Sequence, residues 1–372
     1  MLRKFSVANY KNFEKELTLD FTKVHDYKFN TRCTDSGLLS KILMVGKNGS
    51  GKTNFAYALF DIVYTLTDNT SHPLQKDVGS FINGNSGKDE ASFTYEFLDG
   101  SDVIRYTYGK TAPLKMTRES FSVNDKVVFD FDYRSKGRNV NRLDMIGAES
   151  LNTDLLDGSL PALRIIANNT VQGKESPVRF VMDFANRMLY YRSCQDGNTF
   201  IGLFKSPSDI EQYIIEKGLV RDFEKFLNET TGLGISLDVF TGPSVRSLVQ
   251  KFPGKSLYFQ PIASSGTKAL ELYYFWSRSF GDVSFLFIDE FDAYYHFELS
   301  CRMMDHVLGN VDAQTVLTAY NTKLTDNDLM RPDCCLLIEN GVITSFADRT
   351  SKELREGHNI EKMFRSGTFC ND

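Results

Sequence analysis

Long apolar runs are missing from this 372-residue chain: no stretch approaches the roughly 18 consecutive apolar residues that cross a bilayer, which argues against a membrane protein. The amino terminus, MLRKFSVANYKNF, turns polar after a few residues and lacks the apolar core and small-residue cleavage site of a secretory leader, so a cytosolic protein is expected. Cysteine is sparse and scattered (Cys33, Cys194, Cys301, Cys334, Cys335 and Cys370). Without a Cys-x-x-Cys spacing it points to reduced thiols packed as small hydrophobes rather than to zinc. The five histidines form no metal-ligand pattern with the scattered acids, which speaks against a nuclease constellation. Heptads are absent, excluding a long coiled-coil arm, and no internal repeat or low-complexity tract is found. Charge of one sign is not in excess. Lys plus Arg (43) against Asp plus Glu (48) gives a net charge of −5, so nothing draws the whole chain to nucleic acid or an anionic membrane, a local basic patch aside.

What is present is an ordinary folding composition: 41% hydrophobic and 24% charged residues, with 30 Phe and 17 Tyr, which excludes disorder. The length is one at which a single core stops growing, so one elaborated domain or two lobes are expected. Alternation around Phe5, Val7 and Tyr10, and again through Leu17, Leu19 and Phe21, predicts two strands. Leu38 to Val45 reads as a strand, and Phe55 to Leu66 has helical spacing. Phe-, Tyr- and Val-rich runs from Ser92 to Tyr133, punctuated by Asp99-Gly100 and Asn124-Asp125, predict antiparallel hairpins. Residues 140–235 read as mostly helical, for example Val178 to Tyr191 and Ile210 to Leu227. Strand and helix alternate again from about 255, with short strands at Val283–Ile288, Thr315–Thr318 and Cys334–Ile338. The expected division is an amino-terminal lobe with a β arm over 1–135, a helical insertion over 136–250 and a carboxy-terminal lobe over 251–372.

The segment Gly46-Lys47-Asn48-Gly49-Ser50-Gly51-Lys52-Thr53 fits G-x-x-x-x-G-K-[ST], directly after an apolar strand and directly before a helix. Its glycines let backbone N–H groups face phosphate oxygens, and the helix start adds its positive dipole end. In such a loop Lys52 reaches the β- and γ-phosphates of ATP and the Thr53 hydroxyl helps to hold Mg2+. The plain alternative, a glycine-rich turn joining strand to helix, is disfavoured because motif and flanking elements agree.

A second constellation lies far downstream. Phe285-Leu286-Phe287-Ile288 followed by Asp289-Glu290 reads as a Walker B strand, with Asp289 delivered to the metal shell and Glu290 aimed at a water in line with the γ-phosphate. Taken alone it could be an ordinary strand ending in a solvated turn. Its distance from the phosphate loop suits an ABC-type head rather than a small GTPase or nucleoside kinase. Between the two, Ser264-Ser265-Gly266-Thr267-Lys268 precedes an amphipathic helix through Leu270, Leu272, Tyr273, Phe275 and Trp276, and serine caps its start. That start is either a plain cap or an anion site for a second nucleotide.

The opening (Phe5-Ser6-Val7 with Asn9-Tyr10-Lys11-Asn12-Phe13), Gly46 to Thr53, Ser264 to Thr267 and Ile288-Asp289-Glu290-Phe291-Asp292 resemble the ABC-like heads of the RecF, SMC and OLD group. More narrowly the chain resembles AAA-type ABC-like ATPases of bacterial anti-phage and abortive-infection systems. Arg331-Pro332-Asp333, Ile338-Glu339 and Asn359-Ile360-Glu361-Lys362 add to the likeness, which leaves the middle of the chain unmatched. The resemblance implies an α/β P-loop NTPase of ABC-ATPase type with an antiparallel β arm and a helical insertion. It makes Lys52 the phosphate lysine, Thr53 and Asp289 the Mg2+ ligands, and Glu290 the catalytic carboxylate. Ser265 with Gly266 becomes the contact to ATP held by an opposing copy, so a homodimer or higher homo-oligomer is implied. His296 falls at the histidine that follows Walker B and is expected at the interface. Relatives carry a switch histidine where this chain reads Ala319-Tyr320-Asn321. Tyr320 donates a hydrogen bond but carries no positive charge, which implies slow hydrolysis or a long-lived ATP state. Lys11 and Asn12 are further candidates for touching the nucleotide, and no glutamine-loop residue is assignable. The implied role is a sensor or scaffold in phage defence with a separate effector protein. Two alternatives stay open: a RecF- or SMC-like DNA-binding repair ATPase, and a scaffold that binds ATP without hydrolysing it.

Overall fold

A computed structural model describes residues 1–68, 78–135, 137–193, 198–203, 209–243 and 245–369. Cys194 and Cys370 lie outside the described residues. Cys33, Cys301, Cys334 and Cys335 are free thiols, three of them buried.

The chain opens with β1 (Leu2–Ala8) and β2 (Leu17–Asp20), antiparallel to each other. β1 stops short of Tyr10, because Asn9 turns into the left-handed region at φ 54°. A two-residue hairpin, β3 (Thr34–Asp35) and β4 (Leu38–Leu39), leads into β5 (Lys41–Val45), in which every residue is buried. After the glycine-rich loop come α1 (Lys52–Leu59) and α2 (Asp61–Leu66), two helices where the spacing predicts one, broken at Phe60. A meander follows: β6 (Ala91–Asp99), β7 (Asp102–Ala112), β8 (Lys115–Val123), β9 (Lys126–Asp132) and β10 (Gly137–Asn141). The turn between β8 and β9 places Asn124 and Asp125 at φ 50° and 61°, the paired positive angles that a tight hairpin needs. β6 pairs with β1, so this arm and the amino terminus form one seven-stranded antiparallel sheet.

Next come α3 (Ala162–Asn169), α4 (Pro177–Asn186), β11 (Met188–Arg192), β12 (Phe200–Gly202), α5 (Ile210–Glu216) and α6 (Val220–Thr231). A small sheet of β13 (Leu237–Thr241), β14 (Arg246–Lys251) and β15 (Ser256–Tyr258) precedes α7 (Phe259–Ile262) and α8 (Ser265–Ser277). β16 (Phe285–Asp289), α9 (Phe297–Asn310), β17 (Gln314–Ala319), β18 (Cys335–Glu339), β19 (Val342–Ser345) and α10 (Ile360–Arg365) complete the fold. The second large sheet runs β12-β11-β16-β17-β5-β18-β19. Its five inner strands are parallel, and the antiparallel β12 and β19 close its edges.

This order corrects the expectation for the middle of the chain. Val178 to Tyr191 is not one helix: α4 ends at Asn186, and Met188–Arg192 is a strand paired with β16, inside the span read as a helical insertion. Met188 to Tyr191 is buried on both faces, and such a run shows no alternation to separate a strand from a buried helix. Ile210 to Leu227 likewise divides into α5 and α6 at Gly218, where φ is 67°.

The two large sheets share one aromatic-rich core. Phe5 of β1 meets Phe55 of α1 edge-on at 5.7 Å, and Phe21 meets Phe285 at 6.0 Å. The Gln314 amide stitches them at one end, accepting from Leu2 N at 2.6 Å and donating to Leu2 O at 2.8 Å. The opposite end of the parallel sheet, where β5, β11, β16 and β17 finish, is left for loops, the usual place for a ligand in such a sheet.

Candidate active site

Gly46 to Thr53 leaves the buried end of β5 and enters α1. Two of its glycines are required by geometry. Gly51 has φ 102°, and a Cβ there would lie 2.5 Å from Asn12 Nδ2 and 2.8 Å from the Phe13 ring. A Cβ on Gly46 would meet the Ile338 carbonyl at 2.6 Å. The amino-terminal turn therefore buttresses the loop, and Asn54 Nδ2 ties α1 to it by donating to Asn12 Oδ1 at 2.7 Å. Lys11 points elsewhere, donating to Ser80 Oγ at 3.1 Å.

Lys52 folds back across the loop, donating to Gly46 O at 2.7 Å, and its Nζ lies 4.5 Å from the centre of the Tyr320 ring. Burial lowers its ammonium pKa, against the opposing pull of Asp289, Glu290 and Asp292. Ser50 Oγ is buried with no hydrogen-bond partner among the described residues. An ammonium resting on carbonyls and an orphaned hydroxyl are what a phosphate-binding loop offers before phosphate oxygens arrive.

The acidic end of β16 meets this loop. Thr53 Oγ1 donates to Asp289 Oδ2 at 2.7 Å, and the fully buried Asp289 also accepts from Thr318 Oγ1 at 2.6 Å and from Tyr190 OH at 3.3 Å. A hydroxyl and a carboxylate converging at the phosphate loop form an oxygen donor pair of the hard kind that suits Mg2+. Glu290 sits at φ 53°, a left-handed conformation that costs a non-glycine residue about 1–2 kcal/mol, and its N–H donates to Thr318 Oγ1 at 2.8 Å. Its carboxylate is clasped from two sides. Arg192 donates from Nε to Oε2 at 2.7 Å and from Nη2 to Oε1 at 2.5 Å, while Tyr320 OH donates to Oε1 at 2.8 Å. Arg192 is the main reason the Glu290 carboxyl titrates below its ordinary range. Burial, then the Glu290 carboxylate, pushes the Tyr320 phenol up to about 12, so it stays a donor at neutral pH.

Asp292, two residues on, accepts from the backbone N–H of Tyr320 at 3.1 Å and of Asn321 at 2.7 Å. His296 caps α9 through Nδ1, which accepts from Leu299 N at 3.3 Å, and its side chain is exposed.

Ser264 caps α8, accepting from Thr267 N at 3.1 Å, which leaves the exposed Ser265 and then Gly266 as the first turn. Gly266 lies against the carbonyl of Tyr294, where a Cβ would come within 2.9 Å. Among the described residues no hydrogen bond joins Ser265 to the phosphate loop of the same chain. The structure thus gathers Lys52, Thr53, Asp289, Glu290 and Tyr320 beside the phosphate loop, while Gly266 touches the turn after Glu290 through the Tyr294 carbonyl.

Arg192, Thr318 and Asp292 escaped the sequence reading as site residues. The first lies in the unmatched middle and becomes legible only once β11 is known to pair with β16, in a register that sets Arg192 opposite Asp289.

A parallel sheet with a phosphate loop on β5, an acidic pair on β16 and an antiparallel sheet fused to its flank defines an α/β P-loop nucleotide-binding fold of ABC-ATPase type, with an antiparallel β arm and a middle segment of both helices and strands. The chain belongs to the family described as "AAA domain, putative AbiEii toxin, Type IV TA system", whose model matches residues 42–315. No curated protein matches it in sequence. Among solved structures it is similar to the SMC head domain from Thermotoga maritima, with TM-score 0.44 and 13% identity over 92% of this chain and 97% of that one. It is also similar to the Smc head domain with an extended coiled coil, bound to the C-terminal domain of ScpA, from Pyrococcus furiosus. That match has TM-score 0.44 and 12% identity over 98% of both chains. These likenesses are shallow, and the fold class rests on the strand order and the loop. Among the described residues no helix is long and apolar enough to cross a membrane.

Proposed function

We propose that the protein binds ATP with Mg2+ and hydrolyses it by attack of water on the γ-phosphate. The observation that carries this is the 2.7 Å contact of Thr53 with Asp289, which joins the phosphate loop to the end of a strand 236 residues away. Lys52 exchanges the carbonyl of Gly46 for phosphate oxygens. Thr53 and Asp289 would hold Mg2+, which would supply positive charge to the phosphates. Glu290 orients the water and takes its proton, with Tyr320 holding one carboxylate oxygen.

In the same reading two copies close over two nucleotides, the exposed start of α8, Ser265 and Gly266, covering the phosphates held by the other copy. ATP then controls association, and the closed pair serves as sensor or scaffold in phage defence with a separate effector protein. The family description supports the defence role, and the exposure of Ser265 at the capped start of α8 leaves that helix end open to a second copy.

Phosphate release and nucleotide binding test the chemistry. Glu290→Gln is expected to lower turnover by about a hundredfold or more while binding persists, and Lys52→Ala to weaken binding. Unchanged affinity in Lys52→Ala removes the loop assignment. Equal, negligible turnover in wild type and Glu290→Gln leaves a non-hydrolysing scaffold, the second reading, which the clasp of Arg192 and Tyr320 on Glu290 favours.

A further inference from the structure

Three carboxylates, Asp289, Glu290 and Asp292, lie close enough to Lys52 to act on its charge, beside the loop to which the proposed ATP would bring its own negative charge. Among the described residues, two cationic side chains face them. Lys52 already belongs to the loop. Arg192 is the other, at the carboxyl end of β11, side by side with Asp289 in parallel register. Its side chain keeps 22% of its exposure, so it borders the cleft rather than the core.

We propose that Arg192 is the residue by which this site distinguishes a nucleoside triphosphate from a diphosphate: its guanidinium leaves the Glu290 carboxylate for the terminal phosphate. The proposal rests on the ATPase reading above and adds to it the recognition of the third phosphate. A guanidinium fork fits a carboxylate edge and a phosphate edge equally well, so the exchange keeps paired, charge-assisted bonds on both sides of the change. Glu290 does not lose its place when the fork departs. Tyr320 OH still donates to Oε1, and Thr318 still accepts from the backbone N–H, whereas Oε2 is bonded by Arg192 Nε. Departure of the fork therefore bares the oxygen that would take the proton of a water. A diphosphate reaches Lys52 and the loop but has no third phosphate to offer the guanidinium, so the clasp on Glu290 persists.

The test is the ratio of two affinities rather than turnover. Binding of the β,γ-imido analogue of ATP and of ADP, each with Mg2+, is measured calorimetrically for wild type, Arg192→Ala and Arg192→Lys. Arg192→Ala is expected to weaken binding of the triphosphate analogue about ten- to a hundredfold, the range of charge-assisted hydrogen bonds, and ADP binding by less than about threefold. Arg192→Lys should recover part of the ratio, since it keeps the charge without the fork. Parallel weakening of both ligands makes Arg192 a structural brace and overturns the proposal, as does an unchanged ratio. If Arg192→Ala does not fold, Arg192→Lys decides: a wild-type ratio in that variant overturns the fork as discriminator. A wild type that binds neither nucleotide defeats the ATPase reading itself, whereas binding of both with no change on substitution defeats this inference alone.

Discussion

Thr318 illustrates how much of the site hangs on residues with no chemistry of their own. Its hydroxyl donates to Asp289 at 2.6 Å and accepts the N–H of Glu290 at 2.8 Å, and the residue is fully buried. Thr318→Val keeps the shape and removes both bonds, leaving a buried carboxylate oxygen and a backbone N–H without this partner. A loss of roughly 1–3 kcal/mol is expected, read as a lower urea midpoint with unchanged slope. A midpoint equal to wild type would show that water replaces the hydroxyl at no cost. Glu290 bears the complementary strain, since its positive φ survives only where neighbours fix it, and here Thr318, Arg192 and Tyr320 all hold it.

At the scale of elements, α8 carries a pH dependence that its role as a capped helix does not suggest. Glu271 is buried on its inner face, Gln260 donates to both its oxygens at 2.9 and 2.8 Å, and burial pushes its carboxyl up from 4.5 to about 7. A carboxyl raised in the folded state binds more protons there than when unfolded. Its contribution is thus most favourable below pH 4.5 and is lost as pH rises to about 7. Glu271→Gln is expected to be more stable than wild type by roughly 1–3 kcal/mol at pH 8, the gap shrinking towards pH 5. Chemical denaturation at several pH values would test this, and a gap that widens on acidification would contradict it. The element scale also explains what the sequence could reveal. The phosphate loop, the acidic strand end and the serine cap were legible because each is a local pattern joined to its own strand or helix. The partner of Glu290 was not, because it arrives through a strand pairing 98 residues away, and Met188 to Tyr191 is buried on both faces, which hides its period. The meander was legible from its turns, but its fusion to β1 was not, since no local signal states which edge a hairpin will join.

The whole molecule is organised as an antiparallel sheet bound to a parallel one, and buried charge is part of that bond. Lys110 of β7 donates to Asp61 of α2 at 2.6 Å, with Tyr108 OH reaching the same carboxylate oxygen at 2.8 Å. The second helix after the phosphate loop is thereby tied to the arm. The proposed association of two copies is a property of this scale too. With Glu290→Gln to hold ATP, sedimentation is expected to show a nucleotide-dependent dimer. Adding Ser265→Glu should weaken that dimer at least about tenfold while each chain still binds nucleotide, because a carboxylate would oppose the phosphates. Acidic residues suit the first turn of a helix, so the second change should leave α8 intact. A dimer that persists in the double variant would place the contact elsewhere.

The short turn from Glu290 to Tyr295 has a mechanical meaning. Asp292 within it grips the backbone of Tyr320 and Asn321, and the carbonyl of Tyr294 rests on Gly266 at the tip of α8. The same handful of peptide units thus touches both the segment that carries Tyr320 and the start of α8. In the proposed cycle, a shift at Glu290 would have only this turn to cross before reaching the surface offered to a second copy.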